Sequence, residues 1–400
     1  MKKVVLSSGL TIISKKTNSN SVTLGICVKT GSNNEDKHNK GISHFIEHMV
    51  FEGTEKRTAQ ELVREIEKVG GEFNAFTDNE ITFYYAKVLG KYFDKALNVL
   101  GDMLKNSVFD EKLIDKEKKV ILEEMNLWDD DPKAHQWVLF QKVLYKNHPA
   151  KYPVIGFKDT LKKINKKDIL EYFNKYYVPN NIIIVVTGNF DNKTEEKIKK
   201  EFGSLKYKEL KLKEFKEDEK QNKIIKYKEK KDVTHSYLVI GHKTVNREHK
   251  DSYVLDVISV ILGLGQSSRL FNEIRMKRGL SYNLGMNHEC NKTFGFIGAF
   301  VNANHKNIEI CRKLILDCFK LKNLSEKEIQ DAKNMIEGIL LLKSEDTKDL
   351  AISLGRWEFF KDAKDFYDYV KKIKKITKKE ILQVAKKYLN KNYTEVLIYK

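Results

Sequence analysis

Val22-Thr23-Leu24-Gly25-Ile26-Cys27-Val28 reads as a strand, the polar stretch from Gly31 to Lys40 as a loop, and a helix begins near Gly41. Apolar β-branched residues in an unbroken short run specify a buried strand, and the polar residues with Gly31 end it. Upstream, Val4-Val5-Leu6, then Ser8-Gly9, then Leu10-Thr11-Ile12-Ile13 predict a hairpin. Downstream, an amphipathic helix over 59–69 closes at Gly70-Gly71, and 72–88 reads as paired strands. Helical text follows over 92–106 and 111–128, and Ile182-Ile183-Ile184-Val185-Val186 forms a buried strand ending at Gly188.

The second half repeats this order. A strand at 237–241 precedes helical text at 252–263 and 268–278, then a strand at 294–302 and helices at 308–320 and 325–342. Strand, helices, strands, helices in both halves predict an α+β chain of two structurally related domains, each a mostly antiparallel sheet flanked by helices. Between them, from about Leu205 to Lys223, the text is almost all Lys and Glu. A segment that poor in apolar residues cannot join a core, so it predicts a charged linker over 207–222 between domains 1–206 and 223–400.

The chain has 400 residues, 41% of them apolar, and only four prolines, which excludes a disordered or fibrous protein. Its formal net charge of +18 raises nucleic-acid binding as a reading. The choice of base argues against it. Only eight of the 74 basic residues are arginine, the side chain best suited to guanine and phosphate forks. The excess is lysine, as on a solvated surface, and no nucleic-acid partner is expected. No run approaches the roughly 18–20 apolar residues of a membrane span, and the apolar start at Val4-Val5-Leu6 is too short for a signal-peptide core. Cys27, Cys290, Cys311 and Cys318 form no Cys-x-x-Cys pair and suit buried thiols, so a cytoplasmic location is expected.

Chemistry concentrates in His44-Phe45-Ile46-Glu47-His48. On a helix, positions i, i+3 and i+4 share one face, so two imidazoles one turn apart can hold one zinc ion. Glu47 then stands where a general base would deprotonate a water. By chance such a pentad arises on the order of 0.02 times in a chain of this histidine content. Two histidines leave the metal short of a third protein ligand. Glu117 and Glu124 lie seven residues apart on a later helix, hence on one face, while Glu123 points about 100° away. One of the aligned pair can bind the metal and the other orient a ligand histidine; helical phase does not distinguish them.

The segment from Gly41 through His44-Phe45-Ile46-Glu47-His48 to Thr54 resembles the active-site segment of the pitrilysin and mitochondrial processing peptidase family. The resemblance continues through Gly71-Glu72-Phe73-Asn74-Ala75-Phe76-Thr77 and the stretch from Glu117 to Asn126, and covers essentially the whole chain. It is similar to the smaller, two-domain prokaryotic processing-protease type. The resemblance implies one zinc per chain on His44, His48 and Glu124, with Glu117 as the supporting carboxylate and Glu47 as the base. It implies that Asn74, Ala75, Phe76 and Thr77 lie on a substrate strand, where an exposed sheet edge takes an extended peptide by strand addition. It also implies that Arg275 and Tyr282, seven residues apart in the second half, meet the substrate and steady the oxyanion. The expected activity is that of a zinc metalloendopeptidase, a processing-peptidase-like protease acting on extended or unfolded peptides, as a homodimer enclosing a chamber. The competing reading is a non-catalytic peptide-binding subunit beside a separate protease.

Overall fold

The computed structural model describes residues 1–213, 215 and 221–400, so part of the expected linker, at 214 and 216–220, lies outside the described residues. In chain order the elements are β1 (Lys2–Val5), β2 (Thr11–Lys16), β3 (Ser21–Val28), α1 (Ile42–Phe51), α2 (Ala59–Glu67), β4 (Glu72–Thr77), β5 (Thr82–Leu89), α3 (Phe93–Asn106), α4 (Glu111–Asp130), α5 (Pro132–Leu144), α6 (Lys158–Lys163), α7 (Lys166–Tyr176), β6 (Ile182–Gly188) and α8 (Thr194–Phe202). They continue with β7 (Ile225–Lys230), β8 (Ser236–Lys243), α9 (Asp251–Gly263), β9 (Ser281–Cys290), β10 (Gly295–Ala303), α10 (Ile308–Cys318), α11 (Glu326–Glu345), α12 (Thr347–Phe360), α13 (Asp365–Lys375), α14 (Lys378–Tyr388) and β11 (Thr394–Tyr399).

Two sheets result, with strand orders β1-β2-β6-β3-β5-β4 and β7-β11-β8-β10-β9. Apart from β1, the orders match position by position: β2 with β7, β6 with β11, β3 with β8, β5 with β10, β4 with β9. The ladder types match too. Only β2–β6 and β7–β11 are parallel, and the remaining pairs are antiparallel. The duplication is thus written in the topology, and the fold is α+β with two related, mostly antiparallel sheets.

The chain divides into two compact units, neither contiguous in sequence: Met1–Met125, Tyr152–Glu214 and Leu341–Phe366 form one, and Asn126–Lys151, Phe215–Leu340 and Tyr367–Lys400 the other. In the first, one sheet face carries Leu24, Ile26, Tyr84, Ala86, Ile184 and Val186, buried against α1, α3, α7 and α8. The opposite face is covered by α12, which packs on β3 and β6. That approach is close. A Cβ on Gly25 of β3 would lie 2.5 Å from the Phe83 ring, and one on Gly355 of α12 would lie 3.0 Å from the same ring. In the second unit, α9, α10 and α14 bury Leu238, Ile240, Ile297 and Ala299 on one face. Leu139, Phe140 and Leu144 of α5 cover Val239, Phe296, Val396 and Ile398 on the other.

The division therefore departs from a single cut at the linker. Helix α5, early in the chain, belongs to the second unit, and α12, late in the chain, belongs to the first. Each follows a 20-residue helix, α4 or α11, at equivalent places in the duplication. The helix expected over 268–278 winds as a π-helical turn at Phe271–Met276, where the Lys277 N–H donates to Asn272 O at 3.0 Å. All four cysteines are buried and free. No helix among the described residues is long and apolar enough to cross a membrane.

Candidate metal centre

Helix α1 is built to present three polar residues. Ile42, Phe45, Ile46, Met49 and Val50 are buried, and His44, Glu47 and His48 occupy the stripe left half-open. Its start has no side-chain cap of its own. Gly41 holds φ +97, and a Cβ there would meet Ile155 O at 2.6 Å, so both conformation and space require glycine. The capping acceptor comes from upstream. The buried Glu35 carboxylate takes Gly41 N–H and Ser43 N–H, each at 2.9 Å, satisfying two of the helix's unpaired donors. Burial pushes the Glu35 carboxyl up to about 7, against Lys40 and these two hydrogen bonds. Glu35 was missed in the sequence because it belongs to no periodic pattern. An acidic residue shortly before a glycine-initiated helix was the one available signal.

The two aligned glutamates of the later helix α4 have different neighbours. Ile114, Glu117, Ile121 and Met125 form its buried stripe, and Glu124 stands beside it. Oε2 of Glu124 lies 3.7 Å from Nε2 of His44 and 3.6 Å from Nε2 of His48. Oε2 of Glu117 lies instead 3.2 Å from Nδ1 of His48. Glu123 is exposed. Among the described residues, His44, His48 and Glu124 form the one group of three such side chains with donor atoms within 4.8 Å of one another.

This set fits zinc. Ligands at 2.0–2.1 Å in tetrahedral geometry lie about 3.4 Å apart, and the two separations to Glu124 come within a few tenths of that. Nδ1 of His44 is buried and without a partner among the described residues, whereas Nδ1 of His48 has Glu117, which favours the tautomer that leaves Nε2 free to ligate. The electrostatics divide the pair. Burial, with the His48 charge, pushes His44 down to about 4, only partly opposed by Glu124. Burial acts the same way on His48, but hydrogen bonds to Glu117 and Glu124 and the charges of Glu47 and Glu124 prevail and raise it to about 9. The hydrogen bond to His48 holds Glu117 below the usual carboxylate range. A histidine pressed against two carboxylates attracts positive charge, whether a proton or a metal.

Glu47 lies on the same helix. Burial raises its carboxyl above the usual range, partly opposed by a hydrogen bond from the Thr77 hydroxyl. Thr77 ends β4, one of the two edge strands of its sheet. Along β4 the faces alternate. Phe73 and Ala75 pack toward the α1 side, while Phe76 stacks on Phe83 at 5.7 Å and carries the Arg356 guanidinium at 5.4 Å. Phe76 thus lies on the α12 side, opposite the histidines. Asn74 is exposed, and its Oδ1 accepts the Ala75 N–H at 2.8 Å.

Arg275 and Tyr282 belong to the second unit. Tyr282 is 82% exposed on β9, an edge strand of that sheet. The Arg275 guanidinium lies 4.0 Å from the Tyr282 ring centroid and 4.8 Å from that of Phe271. Its place in the π-helical turn sets it within reach of both rings.

Residues 10–158 match the family profile described as insulinase (peptidase family M16), and residues 163–336 match that of the peptidase M16 inactive domain. The chain belongs to peptidase family M16. Among M16-like relatives, the "uncharacterized zinc protease YmxG" of Bacillus subtilis is 31% identical over 94% of this chain and 93% of its own. An "uncharacterized zinc protease" of Rickettsia felis is 33% identical, over 88% and 85%. The crystal structure of a protease from Helicobacter pylori superposes with a TM-score of 0.94 at 25% identity, covering 100% of this chain and 99% of that one. The M16 inactive-domain match falls on the half without a His-x-x-Glu-His pentad.

Proposed function

We propose that the protein is a zinc-dependent metalloendopeptidase that hydrolyses peptide bonds in extended or unfolded peptides. The observation that carries this reading is the convergence of His44 Nε2, His48 Nε2 and Glu124 Oε2 with Glu47 on the same helix face. Zinc, when bound, supplies a Lewis acid that polarises a peptide carbonyl and acidifies water. The chain's own residues do the rest. The outer edge of β4 receives the peptide as an added strand, with Asn74 releasing the Ala75 N–H to it. Glu47 takes the proton of the attacking water and returns it to the leaving amine. Burial raises its pKa, which strengthens it as a base. For Arg275 and Tyr282, a part in steadying the oxyanion rests on the family resemblance.

The names of the relatives support a protease that uses zinc. The endopeptidase type, action on processing substrates, a homodimer enclosing a chamber and a cytoplasmic setting belong to this reading. A non-catalytic peptide-binding subunit is disfavoured because one chain carries both the full donor set and Glu47. The test is digestion of a peptide library by the wild type and by Glu47→Gln, with bound zinc measured in both. The reading expects cleavage by the wild type, loss of cleavage in the variant and equal zinc. Wild-type cleavage by the variant overturns it, and cleavage that appears only with a second protein favours the subunit reading.

A further inference from the structure

Helix α12, supplied by the far end of the chain, holds the proposed peptide strand at both of its ends. At the start of β4, Lys348 Nζ lies 2.9 Å from Oε1 of Glu72, which also accepts the Tyr85 hydroxyl at 2.7 Å. Just past its end, Arg356 Nη2 lies 2.7 Å from Oδ2 of Asp78.

Asp78 is the centre of the turn that closes the strand. Its Oδ1 accepts the N–H groups of Glu80 and Ile81, each at 2.7 Å. Its own N–H donates to Ile81 O at 2.9 Å, and its O accepts Ser32 N–H at 3.1 Å. The residue before it is Thr77, which donates to Glu47. Arg356 reaches Asp78 because Gly355, the residue before it, lets α12 lie directly on the Phe83 ring. The Arg356 guanidinium then covers Phe76, which stacks on Phe83.

The Arg356–Asp78 pair is partly exposed, at 34% and 27%. Pairs so exposed add little to global stability. What this one does is restrict where an outer strand sits. An edge strand has a neighbour on one side only, so its last residues fray unless something else holds them.

We propose that Arg356 is a positioning residue. Through Asp78 it fixes the end of β4, and with it the approach of Thr77 to Glu47 and the height at which a bound peptide crosses the site. This rests on the peptidase reading above.

The test compares Arg356→Ala, Arg356→Lys, Asp78→Asn and the double variant Arg356→Ala/Asp78→Asn with the wild type. Peptide kinetics, bound zinc, melting temperature and amide hydrogen exchange over 72–81 are measured. Arg356→Ala is expected to lower kcat about tenfold or more, as misplacement of reacting groups does, with KM within about threefold. Exchange over 72–81 should accelerate while zinc and melting temperature hold. Arg356→Lys should recover most of kcat, and the double variant should lose no more than either single one. Unchanged kcat and exchange overturn the proposal, as do additive losses or losses that track unfolding or zinc release. If the wild type cleaves nothing, the peptidase reading fails, and exchange over 72–81 alone decides whether Arg356 holds the strand.

Discussion

Glu117 and His48 form a pair on the side of the imidazole turned away from Glu124: Oε2 to Nδ1 is 3.2 Å, while Nε2 lies 3.6 Å from Glu124. The buried carboxylate therefore holds the ring's orientation and favours a proton on Nδ1, leaving Nε2 toward Glu124. Glu117→Gln keeps the shape but removes the charge. Zinc affinity is expected to fall about 10–100-fold, measured by competition with a chromophoric chelator. An affinity equal to wild type would mean that Glu117 does not act through His48.

Glu123 and Glu124 are neighbours with different surroundings. Glu124→Gln is expected to leave the purified protein with little zinc, because two imidazoles alone hold the ion weakly. Glu123→Gln, on the exposed face, should retain the full complement. Metal analysis of the two proteins side by side distinguishes them.

Tyr282 is so exposed that its hydroxyl contributes nothing to the core. Tyr282→Phe should leave the melting temperature unchanged and, on the proposed reading, lower kcat at least about tenfold by removing an oxyanion donor. Steady-state kinetics on one peptide, with thermal melting as the control, tests this.

His242 on β8 gives the second unit a pH dependence. Its Nε2 donates to Asn390 O at 3.0 Å, and its Nδ1 is buried without a partner among the described residues. Burial pushes it down to about 4. The unfolded chain takes up a proton below the usual histidine value of about 6.5, and the folded chain does so only near 4. Stability is therefore full above about 6.5 and is lost as the pH falls from there toward 4, by about 2 kcal/mol at pH 5. Urea denaturation at pH 7 and pH 5 should show His242→Gln less stable at pH 7, with its loss on acidification smaller by about that amount.

The sequence carried the site unevenly, for physical reasons. The pentad His44-Phe45-Ile46-Glu47-His48 is local: one helical turn aligns its polar residues whatever the helix packs against. Glu117 and Glu124 were equivalent by helical phase and became distinct only when α4 buried one stripe and left Glu124 beside it. Period-two alternation along β4 separates Phe76 from Phe73 and Ala75, but which face adjoins α1 depends on the other strands. The turn at Arg275 read as ordinary helix, because a π-turn differs from an α-turn in hydrogen bonding and not in composition.

What the sequence alone determined is what short-range periodicity can encode: most strands and helices, the duplicated α+β order, and the His-x-x-Glu-His pentad on one helix face. The tertiary structure decided which helix covers which sheet. Helices α5 and α12 are each assigned to the unit built mainly by the other half of the chain, and nothing in a helix's own pattern says whose apolar face it will cover. That decision has chemical weight. It brings Arg356 from the chain's last fifty residues to the end of the strand that stands beside Glu47, a pairing set by packing between segments far apart in sequence.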